Sequence, residues 1–281
     1  MKHVYSCPSA LTESSGSDDQ SILLMVENLC KNFGGLAALR DYNLTLEKGE
    51  LVGLIGPNGS GKTTVFNLLS GVIHPTSGKI RFRKVNITVS RPDKNAYLGI
   101  ARTFQNIRLF ENLTVIDNIK AAFHMRHGEG LLPTLFNLKN FKKSEREIEE
   151  KSSRIMEILG IMHYRDEIAK NLPYGDQRKV ELARSLATEP KLMLLDEPTA
   201  GLNNRETEKM MATISEIHKR YSLAILIVEH DMKVIMGICQ RIQVIDQGET
   251  IALGTPEDIK KNRKVIEAYL GRPKTGLRYH A

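Results

Sequence analysis

The chain has 281 residues, 41% of them hydrophobic and 26% charged, which permits the core of one large domain or two modest ones. No apolar run approaches the roughly 20 residues that cross a bilayer, and no charged-then-apolar leader opens the sequence, so a chain that is neither membrane-spanning nor secreted is expected. Cys7, Cys30 and Cys239 are too scattered for a disulfide framework or a zinc spacing, and the 40 Lys+Arg against 33 Asp+Glu leave a net charge of +7 that suits a solvated basic surface or an anionic partner.

Residues 1–20 carry the polar run 12–20, which has nothing to bury and is expected to form a disordered tail. Leu51–Ile55 is a short, uniformly apolar run, as in a strand covered on both faces. It leads into Gly56-Pro57-Asn58-Gly59-Ser60-Gly61-Lys62-Thr63, with a helical stretch over 64–70 behind it. The string fits G-x-x-x-x-G-K-[ST] in the context that the motif needs. Its glycines let successive N–H groups turn inward around a phosphate, Lys62 reaches the β and γ oxygens, Thr63 ligates Mg2+, and the helix start at Thr64 adds positive potential.

No buried-strand run appears between about 112 and 170. Ser144 with Glu147 reads as a capping box, Ile148, Ile155 and Leu159 continue an apolar stripe, and Gly160 stops it, so this middle part is expected to be a helical insertion. His124, His127 and His163 lack the spacing and acidic company of a metal site. Residues 192–195 form the next buried strand and deliver Asp196 and Glu197 at its carboxyl end, where open α/β sheets bind ligands. Asp196 suits the Mg2+ shell; Glu197, turned to the other side, suits the orientation of an attacking water. Asn204 reads as the cap of a helix whose stripe is Met210, Ile214, Ile217 and Tyr221, and Ala224–Val228 and 242–245 complete the buried strands of a largely parallel sheet.

These residues, with Thr103-Phe104-Gln105-Asn106, Leu172-Pro173-Tyr174-Gly175-Asp176-Gln177-Arg178, Leu195-Asp196-Glu197-Pro198-Thr199, Ala200-Gly201-Leu202-Asn203 and Val228-Glu229-His230-Asp231, resemble the ordered motifs of an ABC transporter ATPase from about Leu23 to Leu270. The resemblance implies an α/β P-loop NTPase (RecA-like) core with a mainly parallel sheet, an antiparallel β subdomain and a helical subdomain inserted at about 107–175. The cassette would cover 21–271, with a tail over 272–281. ATP and Mg2+ are the implied cofactors. Phe33 takes the place of the adenine-stacking aromatic, Leu172 to Asp176 that of the signature which grips ATP across a head-to-tail dimer, Gln105 that of a γ-phosphate and metal sensor, and His230 that of the switch histidine.

Phe33-Gly34-Gly35-Leu36-Ala37-Ala38-Leu39, Leu132-Pro133-Thr134-Leu135-Phe136 with Ser144-Glu145-Arg146-Glu147, and the ending Val265-Ile266-Glu267-Ala268-Tyr269-Leu270-Gly271 are similar to one ATPase subunit of branched-chain amino acid importers. The implied partners are a second ATPase subunit, two transmembrane permease subunits and, indirectly, a substrate-binding protein, at the cytoplasmic face of the inner membrane; no nucleic acid is expected. Importers for urea, amides or other amino acids, and a soluble cassette acting on nucleic acid, are the alternatives. Two departures stand out. Pro173 occupies the serine place of a Leu-Ser-Gly-Gly-Gln signature and lacks its hydroxyl donor, although a proline also suits the first turn of the helix that follows. Asn203 stands where an aspartate is common.

Overall fold

The computed structural model describes residues 21–127 and 138–270, and they fall into two compact units: 21–47, 51–90 and 228–270 form one, and 48–50, 91–127 and 138–227 the other. The tails 1–20 and 272–281, the stretch 132–136 and Gly271 lie outside the described residues.

The first unit opens with two long antiparallel strands, β1 (Ile22–Phe33) and β2 (Leu36–Glu47), joined by a turn at Gly34 and extended by β4 (Ser77–Phe82) and β5 (Val85–Asn86) in the order β2-β1-β4-β5. Alternation buries one face of this sheet through Leu24, Val26, Leu44, Leu46, Ile80 and Phe82. Asn28 and Asp41 take left-handed φ of 49° and 45° near shifts in the β1–β2 register, so the period breaks midway. β3 (Leu51–Ile55) is parallel to β9 (Arg241–Asp246), which is antiparallel to β10 (Glu249–Gly254). Helices α1 (Lys62–Leu69), α7 (Met232–Ile238), α8 (Pro256–Lys261) and α9 (Arg263–Leu270) belong to the same unit.

The second unit holds β6 (Ile100–Arg102) parallel to β7 (Leu192–Asp196), with β8 (Ala224–Val228) on the other side of β7. Every residue of β7 and β8 is buried, which is why these strands read as unbroken apolar runs. Its helices are α2 (Pro92–Leu98), α3 (Val115–His127), α4 (Leu138–Ile158), α5 (Tyr174–Ala187) and α6 (Asn204–Tyr221). α3, α4 and α5 pack on one another, and an antiparallel bridge between Thr114 and Ile168 ties the start of α3 to the segment that leads into α5.

Four local expectations are corrected. Ser144 is inside α4, which already begins at Leu138, so it caps nothing, whereas Ile148 and Ile155 face the core and Gly160, at φ 65°, follows the helix end as expected. The cap of α6 is Asn203, one residue before Asn204: its side chain accepts from Glu206 N while Glu206 reaches back to Asn203 N. Met210, Ile214 and Ile217 are buried, but Tyr221 lies in the last turn and is exposed. α1 begins at Lys62, two residues before the expected start at Thr64, because Gly61 caps it in the left-handed region.

Candidate functional site

In the first unit β3 ends in a loop that the local sequence shapes closely. Gly56 has no room for a side chain: a Cβ there would lie 2.0 Å from Ile245 O and 2.6 Å from Ser60 Oγ. Gly61, at φ 111°, is pressed against Ala38 O, which a Cβ would approach to 2.9 Å. The Lys62 side chain, 8% exposed, folds over the loop and donates to Gly56 O at 2.7 Å and to Pro57 O at 2.9 Å. Ser60 is 2% exposed and its hydroxyl finds no partner among the described residues. An unfilled buried hydroxyl beside a buried ammonium is a setting that an anionic ligand completes.

A cavity of about 430 Å3 opens beside this loop, walled by Gly59, Ser60, Gly61, Lys62, Thr63 and Thr64 on one side and by Leu36, Ala37, Ala38, Arg40 and Gln247 on the other. Asn58 is exposed at the loop tip. Phe33 is outside this lining; it is 48% exposed at the end of β1, with the Lys31 ammonium 5.0 Å from its ring centre. His230 is exposed in the turn before α7, whose first turn is capped by Asp231. Arg40 and Gln247 carry no motif and were not legible as lining residues.

In the second unit β7 delivers its two acids to different partners. Asp196 Oδ2 accepts from Arg102 Nη2 at 2.9 Å, and its amide donates to Thr103 Oγ1 at 3.3 Å. Glu197 leaves the strand at a left-handed φ of 49°, and its Oε2 accepts from Gln105 Nε2 at 3.0 Å. The adjacent carboxylates are thus divided, one held by a guanidinium on β6 and the other by an amide from the following loop. Arg102 and Arg108 both lie over the Phe104 ring, at 5.2 and 4.3 Å.

The signature segment enters α5 in the same unit. Leu172 is buried and its carbonyl accepts from Gln177 Nε2 at 2.9 Å; Pro173 is the N-cap, its carbonyl taking the amides of Asp176 and Gln177 at 3.0 Å each. Tyr174 is half exposed and Asp176 pairs with Lys179 at 2.8 Å. A Cβ on Gly175 would lie 3.4 Å from Glu206 Oε1, so the capping box of α6 backs onto the signature. Two helix residues bind the main chain at Phe104 and Gln105: Arg178, which ends the signature string but was given no role of its own, and Glu181, which sequence reasoning missed. Burial pushes the Glu181 carboxyl above the usual range, against the opposing pull of the Phe104 amide and Arg178. Their sequence distance from the glutamine segment, with no motif linking the two, left no local signal.

Thr63 in the first unit offers a hydroxyl oxygen, and Gln105 and Asp196 in the second offer an amide and a carboxylate oxygen; each is a hard oxygen donor of the type that Mg2+ takes.

A family model described as ABC transporter matches residues 39–200, and one described as branched-chain amino acid ATP-binding cassette transporter matches 249–275. The chain is 44% identical to the high-affinity branched-chain amino acid transport ATP-binding protein LivG of Escherichia coli (strain K12), over 89% of this chain and 98% of the relative. It is 43% identical to BraF of Pseudomonas aeruginosa over the same shares, and 33% identical to the lipopolysaccharide export system ATP-binding protein LptB of Haemophilus influenzae over 89% and 97%. Among solved structures, a nucleotide-free ATP-binding cassette from an ABC transporter superposes with a TM-score of 0.76 at 32% identity, over 89% of this chain and 99% of that one, and an ADP-bound cassette with 0.77 at 31% over the same shares. The fold is that of these P-loop ATPases, and the chain belongs to the ABC transporter family as one of its ATP-binding cassettes.

Proposed function

We propose that the chain is the ATP-hydrolysing subunit of an importer for branched-chain amino acids, working at the cytoplasmic face of the inner membrane with a second cassette and two permease subunits. The observation that carries the hydrolytic part is the Gln105–Glu197 hydrogen bond at 3.0 Å, in which the residue proposed to sense the γ-phosphate already holds the residue proposed to orient water. The substrate class is supported by the names of relatives at 43–44% identity and by the family match at 249–275, against 33% for the lipopolysaccharide exporter.

In this reading the loop 56–63 and Thr64 take the ATP phosphates, and Phe33 stacks on the adenine from its exposed position. Lys62 exchanges its bonds to the Gly56 and Pro57 carbonyls for the β and γ oxygens. Thr63, Asp196 and Gln105 would hold Mg2+, which when bound neutralises charge on those oxygens. Glu197 orients the water for in-line attack on the γ-phosphoryl, and His230 steadies the charge that develops there. Leu172 to Asp176 would face the ATP of a partner cassette, head to tail, with the Gly175 amide and the α5 N-terminus replacing the hydroxyl that Pro173 lacks.

Affinity purification of the tagged chain from solubilised membranes tests the assignment. The expected co-purifying set is a second cassette and two membrane-spanning subunits, with a substrate-binding protein that takes leucine, isoleucine or valine; recovery with nucleic acid or ribosomes would refute it.

A further inference from the structure

The main chain of Phe104 and Gln105 is gripped from one side by a single pair on α5. Arg178, 4% exposed, donates from Nη1 to Phe104 O at 2.9 Å and to Glu181 Oε2 at 3.4 Å, and from Nη2 to Gln105 O at 2.5 Å and to Tyr174 Oη at 2.8 Å. Glu181, one turn further, accepts the Phe104 amide at 3.2 Å. The pair therefore holds three main-chain groups of two adjacent residues, the Phe104 N–H and C=O and the Gln105 C=O. Fixing that backbone fixes the origin of the side chain that reaches Glu197.

The other end of the grip is Tyr174. Its ring centre lies 5.3 Å from the Arg178 guanidinium, and a Cβ built on Gly201 would come within 3.0 Å of its Cε1, so the ring also rests on the segment 200–203. Tyr174 stands where a Leu-Ser-Gly-Gly-Gln signature has glycine, which would offer Arg178 neither hydroxyl nor ring. A guanidinium suits this hub because its planar fork addresses two carbonyls, a hydroxyl and a carboxylate together; an ammonium is a point donor with three hydrogens.

We infer that Arg178, backed by Glu181 and Tyr174, is a positioning residue for hydrolysis, holding the glutamine segment so that the Gln105 amide engages Glu197 and tying that hold to the signature. Arg178 touches none of the reacting atoms, and the inference rests on the proposed roles of Gln105 and Glu197. Loosening the hold at Arg178 lowers turnover and leaves the phosphate loop's own hold on the nucleotide in place, because that loop is not part of the grip.

The test is ATP turnover by the full-length chain carrying Arg178→Lys or Tyr174→Phe, each with and without Gln105→Ala, beside amide hydrogen exchange at Phe104. Arg178→Lys should lower kcat about tenfold with KM for ATP unchanged within about twofold, and Tyr174→Phe should lower kcat about threefold. In the Gln105→Ala background neither should lower turnover further, and exchange at Phe104 should speed up about tenfold in Arg178→Lys. Fully additive losses with Gln105→Ala, or unaltered exchange at Phe104, would overturn the inference. If Arg178→Lys does not fold, Tyr174→Phe decides alone, and wild-type turnover with wild-type exchange in that variant is the contrary result. A wild-type chain that hydrolyses no ATP would count against the hydrolytic function, and exchange at Phe104 in the two variants would still decide whether the grip exists.

Discussion

Glu197 combines a left-handed backbone with a side chain on Gln105, an arrangement that costs a non-glycine residue on the order of 1 kcal/mol or more and persists only where neighbours enforce it. Asp196, one residue earlier, is extended and paired with Arg102. The two acids should therefore fail differently. Glu197→Gln should cut turnover by about 10² to 10⁴-fold with ATP and Mg2+ binding retained, whereas Asp196→Asn should weaken Mg2+ dependence together with rate; single-turnover hydrolysis across a Mg2+ titration separates them, and equal loss of Mg2+ affinity in both would contradict the division. Gly56→Ala forces a Cβ onto Ile245 O and should destabilise the first unit by about 1–3 kcal/mol or more while weakening nucleotide binding, as read by chemical denaturation and analogue titration. Most of this scale was legible. The phosphate loop and the acid pair are contiguous strings whose chemistry follows from spacing, while Arg102, Arg178 and Glu181 act through contacts that only the fold creates.

At the scale of elements, the α6 cap links stability to the signature, because Glu206 both closes the capping box with Asn203 and lies against Gly175. Asn203→Ala should cost about 1 kcal/mol, within a 0.5–2 range, measured by urea denaturation. Pro173 sits at the N-cap of α5, not inside its first turn, and serine is a favoured cap. Pro173→Ser should therefore leave α5 intact and strengthen ATP-dependent dimerisation; in sedimentation with ATP and Mg2+, a weaker dimer would contradict the hydroxyl reading of that slot. The fully buried strands were legible as apolar runs, β3, β7, β8 and the middle of β9. β1 and β2 were not, because they are buried on one face only and their alternation is interrupted at Asn28 and Asp41. Ser144 misled for a related reason: a Ser-x-x-Glu string has the same spelling inside a helix as at its start, and only the turns preceding it in α4 tell the two apart.

On the scale of the whole molecule, ATP binding is expected to close a head-to-tail pair of cassettes and hydrolysis to reopen it, a cycle keyed to the γ-phosphate. Among the described residues no helix is long and apolar enough to cross a membrane, and in the proposed function the passage of the solute belongs to the permease subunits. The measurement that bears most directly on the account is leucine uptake into lipid vesicles that hold the complex co-purified with this chain, with ATP and Mg2+ on the cassette side and loaded binding protein on the other, for wild type and Glu197→Gln. The account predicts uptake coupled to hydrolysis in the wild type, and in Glu197→Gln neither uptake nor hydrolysis although ATP is still bound. Leucine uptake that persists in Glu197→Gln, or wild-type hydrolysis that proceeds with no uptake, would contradict it.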